Sequence, residues 1–339
     1  MCMYYTKGIN QNGYILCRYC NMKKYEHPIF IYIYDITFQC DDIILLIQEY
    51  IKVDNYQTIT GAMYNSVALS QYNIIKYWGI NYTAQSCVPN FIQGKIISID
   101  CSDYHSCALL NDNTVRCWGN NSFGQCNVPD SIQGRIVSIS CGNDFTYALL
   151  NDNSVECWGN NDIEYGQCEP PDSIQGKIIS IKCGVRHTIA LLDDNTVEYW
   201  GDDCDDCDDY KVDINKIVSI SCGGWHYINL LNDNTIKCNG NNQYGECDVP
   251  DSIQGKIISV ECGYHHTVAL LNDKTVRCWG NNMWEQCNVP DSIQGRVVSI
   301  GCGNYHSIAL LDDNSIKCWG SNDHGECTPP KDFKIMRKN

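Results

Sequence analysis

Apolar and polar positions along most of the chain alternate in short runs separated by turn residues. In one unit, KIISV at 256–260, HTVALLND at 266–273 and TVRCWG at 275–280 are three successive apolar runs rich in β-branched residues. The connection Asn-Asp-Lys-Thr is typical of a turn, and the runs lack helical periodicity. The pattern therefore predicts three short strands, with a possible fourth at Ser-Ile-Gln, residues 292–294.

This unit is one of seven copies that cover residues 55–330. A Gly or Cys closes the first run of each copy, and successive copies are 39–42 residues apart. These residues are Gly61, Cys101, Cys141, Cys183, Cys222, Cys262 and Cys302. A fixed period near 40 residues indicates a solenoid or a propeller, and a ring of small antiparallel sheets leaves only short, protected edges. We therefore predict an all-β fold, a seven-bladed β-propeller.

The shared pattern CGxxHTxALLxDxTVxCWGxNxxGQCxVP resembles the repeat of the regulator of chromosome condensation family, in its compact form. The resemblance implies seven blades, and it covers about four-fifths of the chain. The first copy departs from the pattern at Gly61, Asn65 and Tyr77, the third has Phe145 in place of His, and the fifth has Asn239 in place of Trp.

Two domains are predicted, a non-repeat segment at 1–54 and the propeller at 55–339. The segment contains IFIYIYDITF, which is typical of a buried strand, and DDIILLIQEYIKV, which fits a short helix or a strand added to the first blade. The tail TPPKDFKIM at 328–336 has no eighth unit to enter, so we expect it to return to the first blade.

Histidine and tryptophan each recur at one position of the repeat. The histidines are His105, His187, His226, His266 and His306, and the tryptophans are Trp78, Trp118, Trp158, Trp200, Trp279 and Trp319. A catalytic base is needed once, whereas copies on different blades do not converge on one substrate. We therefore interpret the histidines as hydrogen-bonding bridges between strands and the tryptophans as packing between blades. No catalytic residue and no enzymatic activity are predicted.

The 24 cysteines also recur at repeat positions. Because the N-terminus does not resemble a signal peptide, we expect an intracellular, cytoplasmic protein with mainly reduced thiols. Cys107 and Cys117 form a candidate disulfide. The Asp-rich loop at 202–209 and the Cys17/Cys20 pair lack the spacing of calcium or zinc sites, so no metal and no cofactor are predicted.

The net charge of −16 disfavours nucleic acid and anionic membranes as partners and leaves a basic protein as a candidate. The apolar region 29–53 is interrupted by Asp35, Asp41 and Asp42, so it does not form a membrane span of about 20 residues.

Function is expected at the positions that differ between copies. The two residues between Cys-Gly and His lie in a turn, and the seven turns should emerge on one face. The candidate partner-binding residues are Tyr64, Tyr104, Asp144, Arg186, Trp225, Tyr264, His265 and Tyr305. A second, weaker set follows Trp-Gly or Asn-Gly: Phe123, Tyr165, Tyr244, Trp284 and His324. Aromatic and Arg residues are enriched in binding hot spots.

We therefore predict a non-enzymatic protein-interaction propeller whose partner is unknown. The alternative is nucleotide exchange on a small GTPase, which the family resemblance implies. The short units leave little room for the inserted wedge on which that activity relies.

Overall fold

The computed structural model describes residues 56–161, 165–202 and 217–330. These residues form seven antiparallel sheets of three strands, joined in chain order. The first three blades contain β1–β3 (Tyr56–Gly61, Asn65–Ser70, Ile75–Gly79), β4–β6 (Ile96–Cys101, His105–Leu110, Val115–Gly119) and β7–β9 (Ile136–Cys141, Phe145–Leu150, Val155–Gly159). The fourth and fifth contain β10–β12 (Ile178–Cys183, His187–Leu192, Val197–Gly201) and β13–β15 (Ile217–Cys222, His226–Leu231, Ile236–Gly240). The last two contain β16–β18 (Ile257–Cys262, His266–Leu271, Val276–Gly280) and β19–β21 (Val297–Cys302, His306–Leu311, Ile316–Gly320).

The first strand of every blade lies innermost and lines a central channel. Inner strands of neighbouring blades contact one another around the ring, and β1 contacts β19, so the last blade adjoins the first. The predicted seven-bladed propeller is confirmed. The N-terminal segment and the end of the tail, from residue 331, lie outside the described residues, so the predicted domain division and the return of the tail stay predictions.

The middle strand is fully buried in all seven blades. Each middle strand pairs with a strand on both sides and has a neighbouring blade on both faces, which is why its apolar run is continuous rather than alternating. The polar residues at its start are buried with it, and burial of polar groups requires hydrogen-bond partners.

The predicted fourth strand is wrong. The segment forms a short 3-10 turn, as in Asp130–Ile132 and Asp291–Ile293, because the preceding Pro favours a turn and Ile132 and Ile293 are buried. The following glutamine takes over the strand's pairing role. Gln294 Oε1 accepts a hydrogen bond from the Val276 backbone N–H (2.8 Å), and its Nε2 donates to the Val276 carbonyl (3.2 Å). One side-chain amide therefore satisfies both backbone groups at the edge of β18.

A repeated pair of hydrogen bonds holds neighbouring blades together. The carbonyl of Glu246 in the fifth blade accepts a hydrogen bond from the Thr267 hydroxyl (3.0 Å) and one from the Trp279 indole N–H (2.9 Å), both in the sixth blade. The seam between the last and first blades uses the same bonds, since the Glu326 carbonyl accepts from Ser66 and Trp78, both at 2.8 Å. The ring is thus closed by the same two bonds that join most of the described neighbouring blades.

The repeated histidines extend this seam. His266 is fully buried, and its Nε2 lies 3.1 Å from the Ser307 hydroxyl of the next blade. Because that hydroxyl donates its own proton to the Gln286 carbonyl (2.9 Å), it must accept from an Nε2–H. Burial lowers the pKa of His266 to about 3, so the ring is neutral at pH 7. The structure thus gives the histidines a bridging role, between blades rather than between strands of one blade.

Replacing Trp279 with Ala should destabilise the propeller by about 3–5 kcal/mol, because a large, 92% buried ring would leave a packed seam. Urea unfolding followed by circular dichroism measures this change. Trp284→Ala is the matched control, since that ring is 47% exposed, and it should cost no more than about 1 kcal/mol. Equal losses for the two variants would contradict the packing role.

His266→Phe should make the fold less sensitive to acid. The pKa of His266 is about 3 in the folded state and near 6.5 in the unfolded state, so the unfolded state binds more protons between these values. The stability that depends on neutral His266 is complete above about pH 6.5 and is lost as the pH falls. Relative to the unmodified protein, the variant should gain about 1.4 kcal/mol for each pH unit between 6 and 4.

Phe145→His, at the same repeat position, is the reciprocal variant and should make acid unfolding steeper. Urea unfolding at pH 4, 5, 6 and 7 tests both variants. Parallel profiles for all three proteins would show that the buried ring does not control the acid response.

Candidate protein-binding face

The turns between inner and middle strands emerge at one end of the channel. Each is a two-residue turn after Cys-Gly or its equivalent, and its backbone is closed by a hydrogen bond such as Gly263 N–H to the His266 carbonyl (2.8 Å). We call this end, formed by the seven turns and the loops that follow the outer strands, the turn face. All eight residues predicted to bind a partner lie on it.

The two predicted sets of residues interlock on the turn face. The loop of one blade contacts the turn of the next at four seams: Tyr165 with Arg186, Tyr244 with His265, Trp284 with Tyr305, and His324 with Tyr64. The Arg186 guanidinium lies 4.6 Å from the centre of the Tyr165 ring, within the range of a cation–π contact. The two sets are therefore one surface, which the sequence analysis had treated as two.

An aromatic cluster spans the fifth to seventh blades. Tyr264 is at its centre, with ring-centre distances of 6.5 Å to Trp225, 4.7 Å to His265 and 5.9 Å to Tyr305. None of these four rings is buried, so each combines a fixed position with an accessible surface. Rigid, partly exposed aromatic rings are well suited to protein recognition.

Glu246 lies beneath this cluster and contacts His265. It was not among the residues predicted from the sequence. Its side chain is fully buried, and one carboxylate oxygen lies 3.3 Å from His265 Nδ1. The other accepts a hydrogen bond from the Tyr244 backbone N–H (2.8 Å). Burial favours the neutral acid, but these contacts outweigh it and lower the pKa of Glu246. The signal was present in the sequence, because the other copies mostly have Gln at this position.

The remaining predicted residues lie apart from the cluster. Tyr64 contacts Tyr82 and His324 beside the first blade. Tyr104 is 39% exposed, and Asp144 accepts a long hydrogen bond from Gln125 (3.4 Å). Burial raises the pKa of Asp144, and nearby Arg186 partly offsets this effect.

Asp103 ties three blades together at the centre of the turn face. Its carboxylate accepts hydrogen bonds from the Met63 backbone N–H (2.9 Å) and from Asn304 Nδ2 (3.0 and 3.1 Å). Burial raises its pKa to about 6 despite these bonds. Asp103 therefore joins the first, second and seventh blades.

Below Asp103 the channel holds a cavity of about 130 Å³ lined by residues from all seven blades. Asp100, Lys182 and Glu261 occupy equivalent inner-strand positions around it. Burial lowers the pKa of Lys182, but the carboxylates of Asp100 and Glu261 outweigh it and raise that pKa. Burial raises the pKa of Glu261, and Lys182 partly offsets this. Lys182 attracts both carboxylates, whereas Asp100 and Glu261 repel each other. Cys222, which also lines the cavity, has its Sγ 2.9 Å from His187 Nε2.

Most of the described cysteines are free thiols, but three pairs are oxidised. Disulfides link Cys107–Cys117, Cys157–Cys168 and Cys238–Cys247, while twelve described cysteines are free. The first pair is the candidate disulfide from the sequence, and its residues are directly opposite on neighbouring strands. The other two join an outer strand to the loop that follows it. Sequence spacing alone did not show that this loop folds back onto its strand.

One group of metal-binding residue types occurs within the described ranges, formed by His105, Cys107 and Cys141. Its donors are already engaged, since Cys107 is in a disulfide and both His105 nitrogens have hydroxyl partners in Ser102 and Thr146. The Cys17/Cys20 pair and residues 203–209 of the Asp-rich loop lie outside the described residues.

The structure also shows a row of exposed apolar residues that was not predicted from the sequence. The second residue of six inner strands is an Ile or Val that is about half exposed: Ile97, Val137, Ile179, Val218, Ile258 and Val298. These residues lie near the strand end opposite the turn face. Each of them follows a fully buried residue, at a point where the pairing of the inner strand with the middle strand shifts register. The shift directs the side chain of the second residue toward solvent. Among the described residues, no helix is apolar and long enough to cross a membrane.

Solved structures with this fold share low sequence identity with the chain. The ectodomain of the Physcomitrella patens receptor kinase CR4 is 21% identical, with a TM-score of 0.64 over 79% of this chain and 74% of that one. The ectodomain of Arabidopsis thaliana ACR4 is also 21% identical, with a TM-score of 0.62 over 79% and 96%. Saccharomyces cerevisiae Prp20p is 18% identical, with a TM-score of 0.61 over 76% and 83%. These likenesses show the fold.

No curated protein sequence matches the chain. The family model for the regulator of chromosome condensation (RCC1) repeat matches it at five places, residues 96–125, 136–167, 217–246, 257–282 and 297–326. The chain is therefore a seven-bladed β-propeller in which five blades are matched as RCC1 repeats.

Proposed function

We propose that this protein is a non-enzymatic interaction module that binds a basic segment of a partner protein on its turn face. The aromatic cluster around Tyr264 is the observation that carries this proposal. The residues at these turn positions vary between blades and include Asp144, Arg186 and Asn304, so the fold does not require aromatic rings there. The rings of the cluster are held by neighbouring rings and by Glu246, so little freedom is lost when a partner binds.

Charge favours a basic partner. The net charge of −16 attracts cationic segments over long distances. The stacking of Arg186 on Tyr165 demonstrates that this face accommodates a guanidinium over an aromatic ring. An Arg or Lys of the partner could make the same contact with Trp225 or Tyr305, where cation–π attraction adds to the burial of the ring.

The similar structures support a binding role. Prp20p has binding properties to Gsp1p and histones, and the two plant proteins are ectodomains of receptor kinases. Nucleotide exchange is the alternative for this chain. The two-residue length shared by all seven inner hairpins disfavours a wedge on the turn face.

Trp225→Ala should weaken binding to a basic peptide while the propeller stays folded. A fluorescent 12-residue peptide of alternating Arg and Gly is the probe, and a Glu-Gly peptide of equal length is its counterpart. Fluorescence anisotropy should show tighter binding of the Arg peptide. The variant should lose about 2 kcal/mol of that binding, as expected for a hot-spot residue, with stability changed by less than about 1 kcal/mol.

Ile258→Ser is the matched control, since this exposed apolar residue lies at the other end of the propeller and should leave binding unchanged. Equal affinity for both peptides, or equal losses in both variants, would refute the turn face as the binding surface. Faster release of labelled nucleotide from a small GTPase, at catalytic amounts of the protein, would favour the exchange alternative.

A further inference from the structure

Five blades place one cysteine on the outer strand and another in the following loop. In the second blade Cys117 is bonded to Cys107 instead, and Cys126 is free. The other four pairs are Cys157/Cys168, Cys238/Cys247, Cys278/Cys287 and Cys318/Cys327. The first two are disulfides, whereas the last two are pairs of free thiols. One structural position thus occurs in an oxidised and a reduced form within a single chain.

The reduced pairs are already in contact. Cys278 Sγ donates a hydrogen bond to Cys287 Sγ at 2.7 Å, within 1 Å of the length of a covalent S–S bond, about 2.0 Å. Cys318 likewise has Cys327 as a side-chain hydrogen-bond partner. All four residues are partly exposed, but Cys278 and Cys318 pack against the core. A small oxidant therefore meets the loop cysteines Cys287 and Cys327 first.

The loop has the same backbone hydrogen bond in blades with free thiols and in blades with a disulfide. The Cys287 backbone N–H donates to Asn282 Oδ1 (2.9 Å), and the Cys247 N–H of an oxidised pair donates to Asn242 Oδ1 (2.8 Å). The backbone that holds the disulfide in the fifth blade is therefore already present in the sixth. Closing the bond requires a movement of two sulfur atoms rather than a rearrangement of the loop.

We propose that Cys278/Cys287 and Cys318/Cys327 are redox modification sites that form disulfides by exchange with a small-molecule disulfide such as oxidised glutathione. The Cys287 thiolate attacks one sulfur of that molecule, whose S–S bond breaks and releases one thiolate, which takes up a proton. The Cys278 sulfur, after losing its proton to solvent, then attacks Cys287 and displaces the second glutathione thiolate. Two protein thiols are oxidised, and one small disulfide is reduced to two thiols.

Oxidation would fix the loops that build the turn face. The loop of the sixth blade carries Trp284, and its Gln286 carbonyl accepts the Ser307 hydroxyl at the seam. The loop of the seventh blade carries His324, and its Glu326 carbonyl closes the ring. The disulfide would link each loop covalently to its own outer strand. The redox state would therefore control the mobility of the loops that carry Trp284 and His324.

The test uses the full chain, reduced with dithiothreitol, desalted and incubated with oxidised glutathione. Free thiols are then alkylated and the linked peptides mapped by mass spectrometry. Most of the protein should contain Cys278–Cys287 and Cys318–Cys327 bonds. The buried thiols Cys141 and Cys302 should be recovered alkylated after unfolding. Recovery of Cys278 and Cys287 as separate alkylated thiols, or bonded to other cysteines, would overturn the proposal.

Two comparisons separate pair formation from general thiol reactivity. Cys87 occupies the loop position in the first blade, where the outer strand has Tyr77 instead of Cys, so it should form only a mixed disulfide with glutathione. Cys287→Ser should abolish the Cys278 linkage and leave the Cys318–Cys327 bond intact. In limited proteolysis, cleavage within residues 281–287 should be at least about fivefold slower in the oxidised unmodified protein than in its reduced form. Equal cleavage rates would mean that the bond does not hold the loop.

Discussion

The propeller depends on a backbone carbonyl that recurs in six blades of the described residues, the one that precedes the loop cysteine. It lies at the seam and accepts hydrogen bonds from a hydroxyl and, in most blades, an indole of the following blade. At four of the described seams the hydroxyl accepts in turn from a buried histidine, so side chains and one loop form a continuous hydrogen-bonded chain across the seam. A buried chain of this kind is strong only when every member is satisfied, which explains why His, Ser or Thr, and Trp recur together.

Within each repeat, the residues that maintain the seams therefore occupy different positions from the residues that are available to bind a partner. The His-Thr and Trp-Gly positions form contacts at the seams, and in Ile-Gln-Gly the Ile packs in the core and the Gln pairs with the edge of the outer strand. The two turn residues between Cys-Gly and His differ from blade to blade, and apart from the bonds of Asp103 to Met63 and Asn304 they take little part in these contacts. Aromatic residues occupy these turns on the adjacent blades five to seven. This part of the turn face therefore differs from the rest, although the seven blades share one backbone fold.

The sequence was sufficient to predict the fold because the period, the strand runs and the turn residues all agreed. It also placed Trp225, His265 and Tyr305 correctly in turns on a common face. It did not reveal that Tyr244 and Trp284 would meet them, because that contact joins a loop to the next blade. The glutamine of Ile-Gln-Gly was mistaken for part of a strand, since a side chain that replaces strand pairing has no periodic signature. Two of the three disulfides were missed for a related reason: spacing counts residues along the chain, whereas Cys157 and Cys168 meet through a loop that turns back.

The identity of the closing seam with the other seams has a consequence for the order of the chain. Ser66 and Trp78 reach the Glu326 carbonyl as their counterparts reach the same carbonyl elsewhere, so within the described residues the junction of the first and last blades is chemically an ordinary one. The three described strands of each blade are contiguous in sequence, and in five blades Gln294 or its equivalent completes the strand edge without a strand from a distant segment. A gene could therefore begin at a different blade, and circular permutation would preserve the hydrogen bonds between the described blades.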